Sequence, residues 1–267
     1  MKLILITGDH LRHYYVASQL DKVFSEIIWI VEKRELQVPK KNKKIKKKFQ
    51  RLLELHFHKR IKAEKNFFGE KYKYNFKNII KKILIDRKHF NKKIEVLLKK
   101  ERAEVLITYG CGKISNQILK NKNIKNFFNI HGGLSPWFKG SITNFWPSYL
   151  LKPQYTGMTL HTLTSKIDGG DILLQCTSKL YKNDGIHDLS CRVIKNFCYL
   201  IKKKFKKINF KIKIIGVKQK FSGKIWKKCD WSYANLEIIY NKFNDKINYF
   251  VLKNKLNKQK PEIINIL

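Results

Sequence analysis

An asparagine and a histidine stand two positions apart in the segment Asn129-Ile130-His131, and an aspartate, Asp168, follows about forty residues later. Asparagine carries side-chain N–H donors, histidine exchanges a proton near neutral pH, and an aspartate can orient and tune a neighbouring imidazole. Groups of these three types can stabilise an oxyanion and move a proton, which acyl transfer to an amine requires. If the chain brings them together, we expect an enzyme.

Glycines follow both segments. Two of them come directly after His131, which predicts that Asn129 and His131 lie at the C-terminal end of a strand with both side chains on one face. Open α/β sheets bind their ligands at that edge. Gly169 and Gly170 follow Asp168 directly in the sequence, so a tight turn is expected there. Each of these residues, taken alone, could instead have a purely structural role. Asn129 and Asp168 would then make turn hydrogen bonds, and His131 would be packed and hydrogen-bonded.

The elements that must position these residues have the order of a wound α/β domain. The predicted strands cover residues 2–7, 25–31, 105–109, 127–131, 158–163, 172–176 and 210–217, and the predicted helices cover about 11–20, 94–100, 115–119, 186–205 and 236–252. We therefore expect the fold class α/β, a Rossmann-like wound sheet with helices on both faces. Residues 1–206 are expected to form a catalytic domain, and residues 207–267 a short C-terminal extension of short strands and a helix.

Four motifs follow one another in the block FNIHGGLSPWFKGSITNFW and YTGMTLHTLTSKIDGGDILLQ. They are Asn129/His131, Pro136 with Gly140, Thr156-Gly157-Met158-Thr159, and Asp168 with Gly170. In order and spacing the block resembles the formyl-transferase family that uses 10-formyltetrahydrofolate. The resemblance covers about residues 1–200 and is tightest over 104–176. It implies 10-formyltetrahydrofolate as co-substrate, no metal, and transfer of a formyl group to a primary amine.

The resemblance also implies residue roles. Asn129 would donate to the oxyanion formed when an amine attacks the formyl carbon, His131 would add a second donor and help to move the proton, and Asp168 would hold the imidazole. Backbone groups of one loop and one further stretch are expected to meet the pterin ring, namely Tyr109, Gly110, Cys111, Gly112, Lys113, Leu163 and Ile167. The expected substrate-binding residues are His10, Arg12, Gly133 and Ser135.

The N-terminal turn that ends in His10-Leu11-Arg12 precedes the first predicted helix. Helix starts attract anions, so Arg12 and backbone N–H groups are candidates to bind a substrate phosphate; of the two alternatives, the pattern favours plain capping of the helix by Asp9. His161 is expected to pack within its strand, with a place in the pocket as the alternative. Phe145 and Trp146 are expected in the core, with a substrate wall as the alternative.

The net charge of +38 at pH 7 invites a nucleic-acid partner, because a basic surface attracts phosphates. However, only seven of the 58 basic residues are arginines, and the lysines are spread over most of the chain. This pattern favours compositional drift over a binding patch, with phosphate-bearing substrates and nucleic acid as the alternatives. The lysine-rich stretch over residues 40–60 predicts a solvated amphipathic helix.

Cysteine and histidine spacings indicate no metal site. The five cysteines form no Cys-x-x-Cys pair, and His56 and His58 lie among lysines without acidic neighbours. An odd cysteine number without a recognisable secretory signal suggests reduced thiols and a cytoplasmic location. No apolar run approaches the length of a membrane span.

Two departures from the family pattern bear on the amine acceptor. The segment Gly133-Leu134-Ser135-Pro136 replaces the usual Ser-Leu-Leu-Pro, and the C-terminal part lacks the length and strand density expected of a tRNA-binding barrel. The prediction is therefore a small phosphate-bearing acceptor, first a nucleotide-linked amino sugar, with phosphoribosylglycinamide or methionyl-tRNA as alternatives. A homodimer remains open. The alternative from another class is a catalytically inactive RNA-binding protein.

Overall fold

A seven-stranded sheet forms the centre of the computed structural model, which describes residues 1–33 and 46–267. The strand order is β3-β2-β1-β4-β5-β7-β8, parallel from β3 to β5 and antiparallel at β7 and β8; β6 and β9 form a separate parallel pair. The strands are β1 (Lys2–Thr7), β2 (Glu26–Lys33), β3 (Ile79–Asp86), β4 (Val105–Tyr109), β5 (Asn126–His131), β6 (Lys139–Gly140), β7 (Gly157–Thr162), β8 (Ile172–Thr177) and β9 (Ile225–Trp226).

Helices cover both faces of this sheet. The α-helices are α1 (Leu11–Leu20), α2 (Lys47–Phe68), α3 (Phe90–Lys100), α4 (Asn116–Leu119), α5 (Trp146–Tyr149), α6 (Ile186–Phe205), α7 (Tyr233–Leu236) and α8 (Ile247–Lys253). Single 3₁₀ turns lie at Lys71–Lys73, Arg87–His89, Pro153–Tyr155 and Lys228–Asp230, and a π-helical segment at Glu237–Lys242.

The core is divided into two layers by the alternation of side chains along the strands. In β1, Leu3 and Leu5 face the layer that contains α1, α2 and α6, whereas Ile4 and Ile6 face the layer that contains α3 and α4. Strands with both faces buried are apolar throughout, which is why β1 lacks a polar alternation. The expected Rossmann-like wound sheet with helices on both faces is confirmed.

Most elements agree with the sequence-based prediction, and the disagreements have local causes. The predicted strand at 210–217 is wrong. There the Asn126 side chain donates to the carbonyl groups of Phe210 and Ile212 and accepts from the amide of Ile214, so side-chain hydrogen bonds replace a strand ladder. Only Val217 in that stretch makes a β-bridge, to the first residue of β8.

Two further differences concern helices. The single helix expected near 236–252 is interrupted, because Asn244 and Asp245 have φ of +47° and +57°, values that no right-handed helix contains. The amphipathic helix expected over 40–60 corresponds to α2, which the structure gives as Lys47–Phe68. Residues 40–45 lie outside the described part of the chain. The edge strand β3 was not predicted, because its central lysines hide the apolar pattern.

The topology brings the predicted site residues to one edge. Strands β4 and β5 run in parallel, so both end at the same edge of the sheet. Strand β7 pairs with β5 in the opposite direction, which places His161 beside Asn129 and Thr159 beside His131. The turn after β7, which carries Asp168, lies at the same place.

Candidate active site

Asn129 is held with its amide nitrogen toward the other polar residues of the site. The Thr108 hydroxyl of the neighbouring strand donates to Asn129 Oδ1 at 2.7 Å, which fixes the direction of the amide. Asn129 Nδ2 lies 3.1 Å from Asp168 Oδ1 and 3.1 Å from His161 Nε2. The two N–H bonds of Asn129 therefore point at Asp168 and His161.

His131 is 6% exposed and uses both ring nitrogens. Its Nε2 lies 2.8 Å from the Phe138 carbonyl oxygen, and its Nδ1 lies 3.3 Å from Asp168 Oδ2. A carbonyl oxygen can only accept a hydrogen bond, so His131 Nε2 carries a hydrogen. In neutral His131 the free lone pair is then on Nδ1, facing the carboxylate.

Asp168 lies at the centre of the cluster, in a backbone conformation that is uncommon for an aspartate, with φ of +44°. The Gly140 amide donates to its Oδ2 at 2.8 Å, and His161 Nε2 lies 3.4 Å from Oδ1. Burial on its own would raise the pKa of Asp168, but the neighbouring imidazoles and the Gly140 amide outweigh it and lower that pKa. Asp168 is therefore an anion at neutral pH.

Burial also sets the proton state of His131. It lowers the pKa of the imidazole more than the nearby Asp168 carboxylate raises it. His131 is thus neutral at pH 7, with an unprotonated Nδ1 beside an anion. A proton delivered to this pair is stabilised by the carboxylate, which is the arrangement that a general base requires.

His161 belongs to the same cluster, in addition to being packed. It is 1% exposed, as expected for a strand residue, and its Nδ1 lies 2.8 Å from the Thr162 carbonyl oxygen, so Nδ1 carries the hydrogen. Nε2 is then an acceptor facing the Asn129 amide. From the sequence, a place for His161 in the pocket was only the alternative to packing; the antiparallel pairing of β7 with β5 is what brings it to the site.

The loop predicted to meet the pterin ring follows β4. Gly110 has φ of +59°, and the Gly112 amide donates to Glu32 Oε2 at 2.6 Å. A side-chain carbon at Gly112 would approach the Glu32 carboxylate to 3.2 Å, so the loop lies close against the end of β2. Among the other residues predicted to meet the pterin ring, Tyr109 is buried, and Cys111 and Leu163 are partly buried. Lys113 and Ile167 are exposed.

A cavity of about 310 Å³ opens beside this loop. Its floor contains Glu32 and Phe90. Basic residues dominate its rim, from the turn before α3, from α3 itself and from the loop. They are Arg87, Lys88, His89, Lys92 and Lys113.

Of the predicted substrate-binding residues, His10 and Arg12 lie at the start of α1. His10 lines a second cavity of about 360 Å³ between α1 and α2. Arg12 forms an ion pair with Glu64 of α2. The alternative that Asp9 caps α1 is wrong, because the Asp9 carboxylate pairs with Lys71 at 2.8 Å and the helix begins after His10.

The other two predicted substrate-binding residues lie in the loop after β5. The Gly133 carbonyl accepts from the Thr159 hydroxyl at 2.8 Å, and the Ser135 amide donates to that hydroxyl at 3.0 Å. Ser135 is fully buried, and its own hydroxyl has no hydrogen-bond partner within residues 1–33 and 46–267. The loop is thus pinned to β7 directly behind His131.

Phe145 and Trp146 are packed in the core as expected, with 5% and 1% exposure. Trp146 stacks on Trp226 of β9 with ring centroids 4.1 Å apart. Within the described ranges no group of three His, Cys, Asp or Glu side chains could hold a metal ion. In the same ranges no helix has the length and apolar character to cross a membrane.

Comparison with known proteins agrees with this geometry. The model of the family described as Formyl transferase matches residues 3–197. The bifunctional polymyxin resistance protein ArnA of Wigglesworthia glossinidia brevipalpis is 32% identical over 138 residues, which cover 51% of this chain and 20% of that protein. The methionyl-tRNA formyltransferase of Buchnera aphidicola is 29% identical over 169 residues, 59% of this chain and 53% of that enzyme.

The chain thus spans about half of that methionyl-tRNA formyltransferase and a fifth of the ArnA protein. Among solved structures, the N-formyltransferase of Helicobacter canadensis, crystallised with folinic acid and dTDP-3-aminofucose, is similar with a TM-score of 0.57 and 18% identity. That match covers 100% of this chain and 85% of the other. At this identity the likeness concerns the fold.

Proposed function

Because the chain belongs to the formyl transferase family, we propose that it transfers a formyl group from 10-formyltetrahydrofolate to a primary amine of a small phosphate-bearing substrate, a nucleotide-linked amino sugar. The observation that carries this proposal is the cluster at the end of β5. There the Asn129 amide lies 3.1 Å and the His131 imidazole 3.3 Å from the Asp168 carboxylate. Convergence of these three groups is what the transfer chemistry needs.

Each residue of the cluster has a chemical role in this proposal. The donor supplies an already activated formyl group. When an amine nitrogen bonds to the formyl carbon, the formyl oxygen gains negative charge, and Asn129 Nδ2 would stabilise it by exchanging its hydrogen bond to His161 or Asp168 for one to that oxygen. The amine must lose a proton, which neutral His131 accepts at Nδ1. The Asp168 anion beside that atom stabilises the resulting cation.

The bond to the leaving folate nitrogen then breaks. That nitrogen takes up a proton, which the His131–Asp168 pair returns, so that one proton is carried from the amine to the folate. The products are a formamide and tetrahydrofolate. His131 and Asp168 finish in the states in which they began, and no metal, oxidant or reductant takes part.

The folate is proposed to bind over the loop after β4. The partly exposed loop at Gly110 to Gly112 would lie against the flat heterocycle, with the Gly112 amide held by Glu32. Arg87, Lys88 and Lys113 on the rim of the adjacent cavity would then attract the carboxylates of the folate's glutamate tail. The basic residues at this edge therefore support the proposed folate site by their charge.

The amine acceptor is proposed to approach from the cavity between α1 and α2. It is lined by His10, Arg60, Lys65 and Lys71, which suit an anionic group, together with two glutamates and Tyr72. Arg12 lies beside this cavity, but its partner is Glu64. In this proposal Arg12 supports the cavity wall rather than binding a phosphate directly.

The choice of a nucleotide-linked amino sugar is supported by the Helicobacter canadensis enzyme, whose structure contains dTDP-3-aminofucose. Methionyl-tRNA is the second candidate acceptor, and the Buchnera aphidicola relative is the observation that favours it. Phosphoribosylglycinamide is the third. All three offer a primary amine and carry phosphate.

The test is to incubate the protein with 10-formyltetrahydrofolate and each acceptor class separately, and to follow release of tetrahydrofolate and the formylated product. Lys113→Glu, with the exposed Lys120→Glu as control, should weaken binding of the folate and leave acceptor affinity unchanged. Wild-type turnover with an amino-sugar nucleotide alone supports the proposal. Turnover only with methionyl-tRNA, or none with any acceptor while folate binds, contradicts it.

An RNA-binding protein without catalysis is the rival class, motivated by the charge of +38. A protein that tracks phosphates loses affinity steeply as salt rises, because each neutralised phosphate releases counterions. Fluorescence titration with single-stranded and structured RNA at several salt concentrations measures this dependence. A steep dependence combined with no formyl transfer would favour the rival.

A further inference from the structure

A segment of the C-terminal extension lies against the turn that carries Asp168. We call residues 216–226 the strap. Val217 pairs with Ile172, the first residue of β8, through backbone hydrogen bonds of 2.8 Å in both directions. At its other end the strap becomes β9, which pairs with β6. Between these anchors the strap lies against the turn that carries Asp168.

Gln219, in the middle of the strap, contacts this turn directly. Its Nε2 donates to the Asp168 carbonyl oxygen at 2.7 Å and to the Gly170 carbonyl oxygen at 2.9 Å. One amide group thus uses both N–H bonds on the two carbonyls that enclose Gly169. The opposite side of the turn is closed by Thr162, whose hydroxyl accepts from the Asp171 amide at 2.8 Å.

This turn holds Asp168 in a conformation that requires support. A φ of +44° is unfavourable for a residue with a side chain, and such conformations persist where surrounding contacts fix them. The Asp168 side chain can satisfy His131, His161 and Asn129 together only while its backbone keeps this orientation. The Gln219 contacts are the ones that bind the Asp168 backbone from the strap side.

The strap also reaches the Asp168 carboxylate through β6. The Gly140 amide donates to Asp168 Oδ2, and Gly140 is held in register by Trp226 of β9. The Ser141 amide, next in sequence, donates to the Trp226 carbonyl at 2.8 Å. The backbone and the carboxylate of Asp168 therefore both depend on residues of the strap.

We propose that Gln219 is a positioning residue for the reaction, which fixes the orientation of Asp168 against His131 through the Asp168 and Gly170 carbonyl groups. This inference rests on the proposed function for its catalytic consequence. Gln219 touches no reacting atom. Its removal leaves Asp168 present but free to rotate away from the imidazole.

The test compares Gln219→Met, which has nearly the same shape but no donor, with Lys218→Met, the same substitution at the exposed neighbouring position of the strap. Misplacing a catalytic group by about 1 Å can reduce turnover on the order of a hundredfold. For Gln219→Met we expect kcat to fall at least tenfold, with KM for folate and acceptor changed less than about twofold. Lys218→Met should retain wild-type kcat.

A second measurement does not need activity. The carboxylate of Asp168 raises the affinity of His131 for a proton, so loosening Asp168 should move the titration of the His131 ring, followed by NMR, to lower pH. Gln219→Asn keeps an amide at shorter reach and should fall between wild type and Gln219→Met. Equal urea midpoints for wild type and Gln219→Asn establish that folding is retained.

The outcomes separate the two proposals. If the wild-type protein transfers no formyl group to any acceptor, the proposed function fails. A shift of the His131 titration in Gln219→Met would still support the positioning role of Gln219. If Gln219→Met and Gln219→Asn both keep wild-type kcat and an unchanged His131 titration, the positioning role is overturned. Equal loss of kcat in Lys218→Met would also overturn it.

Discussion

The Nδ1 atom of His131 lies 3.3 Å from Oδ2 of Asp168, while Nε2 of the same ring is occupied by the Phe138 carbonyl. The ring therefore has one nitrogen for structure and one for proton exchange. Because burial lowers the pKa of His131 and the pKa of Asp168 is also lowered, the pair is a neutral imidazole beside an anion, which is the state from which the proposed reaction starts. Several expectations about turnover depend on this arrangement.

The first expectation concerns pH. Protonated His131 cannot accept the amine proton, so kcat should fall as the pH drops through its pKa, which burial places below the usual 6.5. Asp168→Asn removes the charge that opposes burial, so the acid limb should move to still lower pH while kcat at its plateau decreases. The pH dependence of kcat measures both. If Asp168→Asn leaves the acid limb at the same pH, the Asp168 charge does not influence the pKa of His131.

The second expectation concerns the oxyanion. Removal of one such donor elsewhere costs about a hundredfold to a thousandfold in kcat, and Asn129→Ala should lose at least about a hundredfold. Steady-state kinetics with saturating folate measures the loss. Asn196→Ala, at an exposed position of α6, is the control and should behave as wild type. Near-normal turnover of Asn129→Ala would remove this residue from the mechanism.

The third expectation concerns the direction of the Asn129 amide. Thr108→Val keeps the shape of the side chain but deletes the hydroxyl that donates to Asn129 Oδ1. The amide can then turn its oxygen toward the site, so we expect kcat to fall about fivefold, since a neutral hydrogen bond contributes roughly 1 kcal/mol. Thr108→Ser retains the hydroxyl and should keep most of the activity. Equal kinetics for the two variants would contradict the orienting role.

The fourth expectation compares two glycines with positive φ. Gly140 has φ of +94° and a side-chain carbon there would collide with the Trp226 carbonyl, whereas Gly69 has φ of +78° and open space around it. Gly69→Ala should lower the free energy of unfolding by about 1–3 kcal/mol through backbone strain alone, because its φ of +78° and ψ of −149° lie in a region that is essentially restricted to glycine. Gly140→Ala should cost more and also reduce kcat, because its amide contacts Asp168. Urea denaturation and kinetics test both; equal effects would argue against the crowding.

The fifth expectation concerns stability. His56 of α2 is buried against Tyr240, with Nδ1 2.9 Å from the hydroxyl, and burial followed by the charge of Arg60 lowers its pKa to about 3. The unfolded chain protonates this ring near pH 6.5. The free energy of unfolding should therefore decrease as the pH drops below 6.5, with a slope that approaches about 1.4 kcal/mol per pH unit.

Urea midpoints for wild type and His56→Gln between pH 5 and 7.5 measure that slope. His56→Gln should have a shallower dependence. His58→Gln, on the exposed side of the same helix, is the matched control and should keep the wild-type slope. Parallel curves for all three proteins would show that His56 does not contribute.

The strands near the site could be predicted because each contains a short apolar run, as in β4 and β5, and because glycines mark where they end. The convergence of Asn129, His131 and Asp168 was predictable only through the order of the motifs. His161 was underestimated, since its role arises from strand pairing rather than from its neighbours in sequence. Gln219 gave no sequence signal at all, because its partners are two backbone carbonyls in a turn far away along the chain.

The pairing of β6 with β9 has a consequence for how the protein matures on the ribosome. Translation proceeds from the N-terminus, so His131 and Asp168 leave the exit tunnel well before Trp226 does. The early part of the chain can form its parallel strands while Gly140 still lacks its partner strand. A nascent chain therefore contains Asn129, His131 and Asp168 before Trp226 can hold Gly140 against Asp168, and under the proposed mechanism we expect formyl transfer only at a late stage of synthesis.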